Sequence, residues 1–138
     1  MKEIYVLDAC AFIAFLDDEK GANIIVDLIQ KADDMKIEIF MHRVNFLEVF
    51  YHTSRKHGIE RAFLLFRAIY TYPINLISGL SNNVFLEAGR LKSMYKLSIA
   101  DSIGLALSII QNGRFVTCDH HEMDIIQKKE NLDILWVR

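Results

Sequence analysis

The stretch Leu97–Gly113, reading LSIADSIGLALSIIQNG, leaves few folds open to this chain. It is long enough for four turns of helix and is apolar on nearly every side, so it predicts a helix enclosed within a layered domain. Its single charge is Asp101. An ionised carboxylate in such surroundings costs several kcal/mol unless it is paired, well hydrogen-bonded or bound to a cation. Ser98 supplies one resolution, because as N-cap it sets Asp101 at the third helical position, facing free N–H groups and the positive end of the helix dipole. Two further aspartates, Asp8 and Asp119, supply another, since each follows directly on a short apolar run.

Those runs recur along the chain. Ile4–Leu7, Ile37–Met41, Ile74–Ile77, Arg114–Cys118 and Ile134–Val137 read as strands, rich in β-branched and aromatic residues and apolar enough to be covered on both faces. Between them, helical periodicity covers Ala9–Leu16, Gly21–Ala32, Arg43–His57, Ile59–Thr71, Asn82–Tyr95 and Met123–Lys129. In Arg43–His57 the apolar face is taken as Leu47, Phe50 and Tyr51, with Gly58 as the stop; Pro73 ends the next helix. Strands separated by one or two helices favour right-handed crossovers and a parallel sheet with helices on both faces. The expected fold is therefore α/β, a three-layer α/β/α arrangement around a parallel sheet of about five strands, with residues 1–138 forming one domain.

Charge and cysteine content narrow the function. A formal net charge of −2 gives no bulk attraction to nucleic acid, so a polyanionic partner has to be met by a local basic patch or by metal ions. The two cysteines, Cys10 and Cys118, have neither the number nor the spacing of a disulfide framework or a zinc site, and are expected to be small buried thiols of a reducing compartment. The apolar run near the N-terminus is broken by Asp8 and followed by Asp17 and Asp18, too short to span a bilayer, so a cytoplasmic protein is expected.

In open parallel sheets ligands bind beyond the carboxyl ends of the strands, which is where Asp8 and Asp119 fall. Each could instead cap the helix that follows it. Glu48 lies at the margin of its helix's apolar face, where taken alone it reads as a solvated surface glutamate. Taken together, Asp8, Glu48, Asp101 and Asp119 form a candidate site. Two carboxylates about 5 Å apart repel by roughly 3 kcal/mol at an effective dielectric of 20, and no lysine or arginine has an evident place among them. Oxygen ligands of this kind suit Mg²⁺, or Mn²⁺, and the chemistry that follows is in-line hydrolysis of a phosphodiester. No serine or cysteine nucleophile motif argues for a covalent route.

The blocks VLDACAFIAFL around Asp8, NFLE ending at Glu48, LSIADSIGLALS around Asp101 and FVTCD ending at Asp119 resemble, in their order, those of the PIN domains, and within them the VapC-type ribonuclease toxins. The resemblance covers essentially the whole chain. It implies a five-stranded parallel sheet, a Mg²⁺-dependent ribonuclease acting on RNA such as tRNA or rRNA, a homodimer, and a small VapB-type antitoxin that blocks the site. Two positions depart from the pattern: Cys10 stands where a hydroxyl or amide residue is usual, and His120-His121-Glu122 follows Asp119 where a further acid and an aromatic are more usual.

RNA binding would draw on Arg43, on Arg55, Lys56 and His57, and on Arg90, Lys92 and Lys96, with Tyr95 as a base-stacking candidate. The aromatic-rich segment Phe46–Tyr72 is a candidate dimer face. Two other classes compete with the nuclease reading: a phosphatase with Asp8 as nucleophile, weakened by Cys10 where a second acid is wanted, and a non-catalytic module that binds a metal or a partner.

Overall fold

A computed structural model covers residues 1–138. Five strands, Glu3–Leu7 (β1), Ile37–His42 (β2), Ile74–Ile77 (β3), Arg114–Thr117 (β4) and Ile134–Trp136 (β5), alternate with seven α-helices. The helices are Ala9–Leu16 (α1), Ala22–Asp33 (α2), Arg43–His57 (α3), Ile59–Ala68 (α4), Asn82–Met94 (α5), Ile99–Ile110 (α6) and His121–Glu130 (α7). All strand pairs are parallel, and the sheet order is β3-β2-β1-β4-β5. The expected three-layer architecture is the one observed.

Alternation along β1 explains the layering. Leu7 faces a core built with Phe12, Ile25, Ile39, Met41 and Val49 from α1, α2, β2 and α3, whereas its neighbour Val6 faces Leu91, Leu105, Phe115 and Ile126 from α5, α6, β4 and α7. Both side chains are fully buried, as a strand sandwiched between helix layers requires. Gly21 enters α2 at φ +93° with its α-carbon against the Val137 carbonyl; any side chain there would collide with that backbone.

Three local readings change. Helix α4 ends at Ala68, and Ile69–Thr71 tightens into a 3-10 turn ahead of Pro73. The inward face of α3 is Asn45, Phe46, Val49 and Thr53, while Leu47 and Tyr51 point outward; Phe50 packs edge-on against Phe63 and Phe66 of α4. The polar pair Asn45 and Thr53 on the buried side masks the true face from a pattern count. Helix α6 is buried from Ser102 to Ser108, except at half-buried Ile103, but Ile99 and Ile110 at its ends are exposed, so it is covered on one broad side rather than all round.

Sheet order fixes where a ligand can sit. Moving from β1, the chain goes one way through β2 to β3, and later returns to the other side through β4 to β5. The direction therefore switches between β1 and β4, and the carboxyl ends of those two strands flank the crevice that such sheets use.

Candidate active site

Asp8 sits one residue past β1, and its N–H extends the ladder to the Val116 carbonyl at 3.1 Å. It caps α1, accepting at Oδ1 from the Ala11 N–H at 2.8 Å. At Oδ2 it accepts from the Thr117 hydroxyl, the last residue of β4. Thr117 also accepts from the Asp119 N–H at 3.2 Å, so one buried hydroxyl links the two acids that end the central strands. The capping role considered for Asp8 is thus real, and it coexists with placement in the crevice.

Asp101 lies where the sequence puts it, in the first turn of α6, whose N-cap Ser98 accepts from the Asp101 N–H at 3.0 Å. Glu48 is half-buried on α3. One turn before it, Asn45 donates from Nδ2 to the Ala100 carbonyl at 3.1 Å, tying α3 to the start of α6 beside Asp101. Its Oδ1 is buried without a partner and lies against Gly104, where an added β-carbon would stand 2.8 Å away. Asn45 and Gly104 together set the spacing of the two helices that carry Glu48 and Asp101.

The electrostatics of Asp8, Glu48 and Asp101 run in one direction. Burial pushes the Asp8 carboxyl up to about 7, against the hydrogen bonds from Thr117 and Ala11, and the charges of Asp101 and Asp119 push it the same way. Burial raises Asp101 as well, opposed by Ser98 and reinforced by Asp119. Glu48 is raised by burial and then by Asp101. Asp8, Glu48 and Asp101 thus each feel the charge of at least one other acid of the set and pair with no cationic side chain, while Asp119 has only His121, 3.9 Å away and 94% exposed. An all-carboxylate donor set with no internal counter-charge fits a hard divalent cation that keeps several of its waters. No three His, Cys, Asp or Glu side chains close tightly enough to form a finished metal cage. The larger cavities also lie elsewhere, including one of about 450 Å³ lined by Asp17, Lys56, His57 and Arg61. Asp8 is buried at the base of the crevice, and Glu48, Asp101 and Asp119 are partly exposed beside it.

Several expected contributors are committed elsewhere. Tyr95 is buried and donates to Glu130 at 2.6 Å, so it offers no stacking face. Arg90 is bound to Glu87 and Glu130, and Lys56 and His57 hold Asp17 at the far end of α1. Arg55 lies over the Tyr51 ring. Arg43, Lys92 and Lys96 remain exposed without an ion-pair partner. His120, which follows Asp119, stacks on Trp136 and has its ring nitrogens against Asp124 and the Arg138 carbonyl. The cysteines depart most from expectation. Cys10 and Cys118 are half-buried and joined in a disulfide, not separate thiols. Thr117 was not singled out from the sequence; a hydroxyl two residues before a strand-end acid was the available signal.

The chain matches the PIN domain profile over residues 5–129. The chain belongs to the PIN domain family. No curated protein sequence matches it. Among solved structures, this PIN domain is similar to VapBC2 from Rickettsia felis bound to a DNA fragment from their promoter (TM-score 0.73, 17% identity, covering 96% of this chain and 97% of that one). It is also similar to DNA-bound VapBC from Salmonella typhimurium (TM-score 0.73, 10% identity, 100% of both chains). A third similar structure is VapC20 from Mycobacterium tuberculosis, a Sarcin-Ricin loop cleaving toxin (TM-score 0.66, 10% identity, 89% of this chain and 95% of that one). At these identities the likeness is one of fold. The fold of this PIN domain also contains no helix long and apolar enough to cross a membrane.

Proposed function

We propose that this PIN domain is a metal-dependent endoribonuclease, the toxin of a type II toxin–antitoxin pair, with residues 1–138 acting as one unit in the cytoplasm. The observation that carries the reading is the electrostatic one: burial, with the charges of Asp101 and Asp119, raises Asp8, Glu48 and Asp101, and no lysine or arginine offsets them. Asp8, Glu48, Asp101 and Asp119 hold Mg²⁺ or Mn²⁺. A divalent cation held there supplies water activation and stabilisation of phosphoryl charge. Thr117 and the Ala11 N–H keep Asp8 oriented, and Asn45 ties the helices that carry Glu48 and Asp101.

The substrate is RNA of the tRNA or rRNA class, with the exposed and unpaired Arg43, Lys92 and Lys96 available to phosphate. An aspartyl-nucleophile phosphatase is disfavoured because Cys10, tied to Cys118 in a disulfide, stands where that chemistry wants a second acid. The similar VapBC structures support an antitoxin partner. The exposed apolar residues Leu47, Tyr51, Phe63, Leu64, Phe66 and Tyr70 on α3, α4 and the 3-10 turn provide surface for that partner and for a homodimer. The absence of a closed ligand cage favours one alternative, a PIN-like module that binds a partner without turnover.

Incubation of the purified protein with mixed RNA in Mg²⁺ or Mn²⁺, with and without EDTA, separates the two. Cleavage that needs the cation and is lost in Asp8→Asn and Asp101→Asn supports the nuclease. Cleavage that survives EDTA contradicts it, and intact RNA in every condition favours the binding module.

A further inference from the structure

The chain has two cysteines, and both lie beside the acids. Cys10 is in the first turn of α1, the turn whose Ala11 N–H holds Asp8. Cys118 stands between Thr117, which donates to Asp8, and Asp119. Their α-carbons are 6.0 Å apart although 108 residues separate them in sequence, a separation that a disulfide spans without backbone movement. Both residues are half-buried, within reach of a small thiol reagent.

The bond ties a part of the chain that has little else to hold it. Strand β4 ends at Thr117, and neither Cys118 nor Asp119 makes a backbone-to-backbone hydrogen bond. Asp119 is held through its own N–H to Thr117, by the His121 N–H to its carboxylate at 3.2 Å, and by the 94% exposed His121 ring 3.9 Å away. The charges of Asp101 and Asp119 both act on Asp8, and that of Asp119 on Asp101. Without a counter-ion, this repulsion favours Asp119 moving away from α1, and the disulfide opposes that movement directly.

We infer that the Cys10–Cys118 disulfide is a redox-operated brace on the acid cluster: closed, it holds the Asp119 segment against α1 and preorganises the acids for a divalent cation; opened, it lets them spread and weakens cation binding. This rests on the proposed role of the acids as cation ligands. Opening needs a dithiol reductant. Two electrons and two protons pass from the dithiol, the S–S bond breaks to leave Cys10 and Cys118 as thiols, and the reductant closes to its own disulfide. Because binding linkage is reciprocal, the cation makes the bond harder to reduce by the same factor by which the bond tightens the cation.

The test uses the full chain, oxidised and after reduction with dithiothreitol and anaerobic desalting, titrated with Mn²⁺ by calorimetry. Affinity should be about fivefold or more higher in the oxidised protein, the lower end of ordinary coupling between sites. Cys118→Ala, which cannot bridge, should match the reduced protein whether or not reductant is added. In an equilibrium thiol–disulfide buffer, Mg²⁺ should shift the wild-type protein toward the disulfide. Near-UV circular dichroism of the reduced protein and of Cys118→Ala should show retained tertiary structure. Equal Mn²⁺ affinity in both redox states, with loss of binding in Asp101→Asn, overturns the brace and leaves the cation site standing. No Mn²⁺ binding in either state overturns both. Unfolding of the reduced protein and of Cys118→Ala also overturns the brace, because the bond would then support the whole domain and not the site.

Discussion

Helix α1 carries an aspartate at each end, and the two ends have opposite electrostatics. Asp8 at the N-cap is buried among like charges, and its carboxyl is pushed up to about 7. Asp17 at the C-cap is only 10% exposed, yet burial is outweighed by Lys56, His52 and His57, which hold it below the usual carboxylate range. Those three side chains come from one turn and a half of α3, and each reaches the Asp17 carboxylate within 3.3 Å. An acid that only has to stabilise the fold is given its counter-charges by the chain. At Asp8 the chain supplies none, which is the condition expected where the counter-charge is a ligand.

The contrast can be broken from either end. The largest effect belongs to the uncompensated end: Asp101→Asn should reduce cation-dependent RNA cleavage by about 100-fold or more while circular dichroism stays unchanged, since a ligand is lost and no packing is. At the compensated end, Asp17→Asn should leave cleavage intact and lower stability by about 1–2 kcal/mol in urea unfolding at low salt. The figure stays small because His52, Lys56 and His57 are each more than a third exposed and screened by water. A loss of cleavage in Asp17→Asn with stability unchanged would reverse the assignment of the two ends.

A pH series sharpens the comparison. Because the folded carboxyl of Asp8 titrates near 7 and the unfolded one near 3.8, the folded state binds the extra proton between those values. Its contribution is complete below about pH 4 and is lost as pH rises through 7, about 4 kcal/mol at the most for the cation-free protein. Asp17 contributes in the opposite sense, with stability present above the unfolded carboxyl range and lost on acidification. In EDTA, Asp8→Asn should therefore flatten the decline in wild-type stability between pH 5 and 7.5, measured by thermal melts. An unchanged decline would mean that Asp8 is not its source. Gly104→Ala, which presses a methyl group against the Asn45 carboxamide, should cost about 1–3 kcal/mol in the same urea unfolding if α6 shifts little.

What the sequence made legible follows from how local each signal is. Asp101 was visible because one charge in an apolar helix is anomalous by itself, and Asp8 and Asp119 because each follows directly on an apolar strand. The parallel sheet followed from the spacing of those strands. The buried face of α3 was misread because Leu47, Phe50 and Tyr51 form a plausible apolar stripe, whereas the inward residues include Asn45 and Thr53, whose role depends on α6 and on packing. The pairing of Cys10 with Cys118 could not be read at all, since it is created by the β1–β4 adjacency and by no spacing along the chain. Thr117 escaped notice for the same reason: its hydroxyl matters only once β4 lies beside β1.

The most direct test of the central claim is a pair of melting curves, wild type and Asp101→Asn, each in EDTA and in saturating Mg²⁺. If the acids form a cluster whose counter-charge is a bound cation, Asp101→Asn is at least as stable as wild type in EDTA because a repulsion has been removed, and Mg²⁺ raises the wild-type Tm but not that of the variant. A variant less stable in EDTA, or one that Mg²⁺ stabilises as strongly as wild type, would contradict the account.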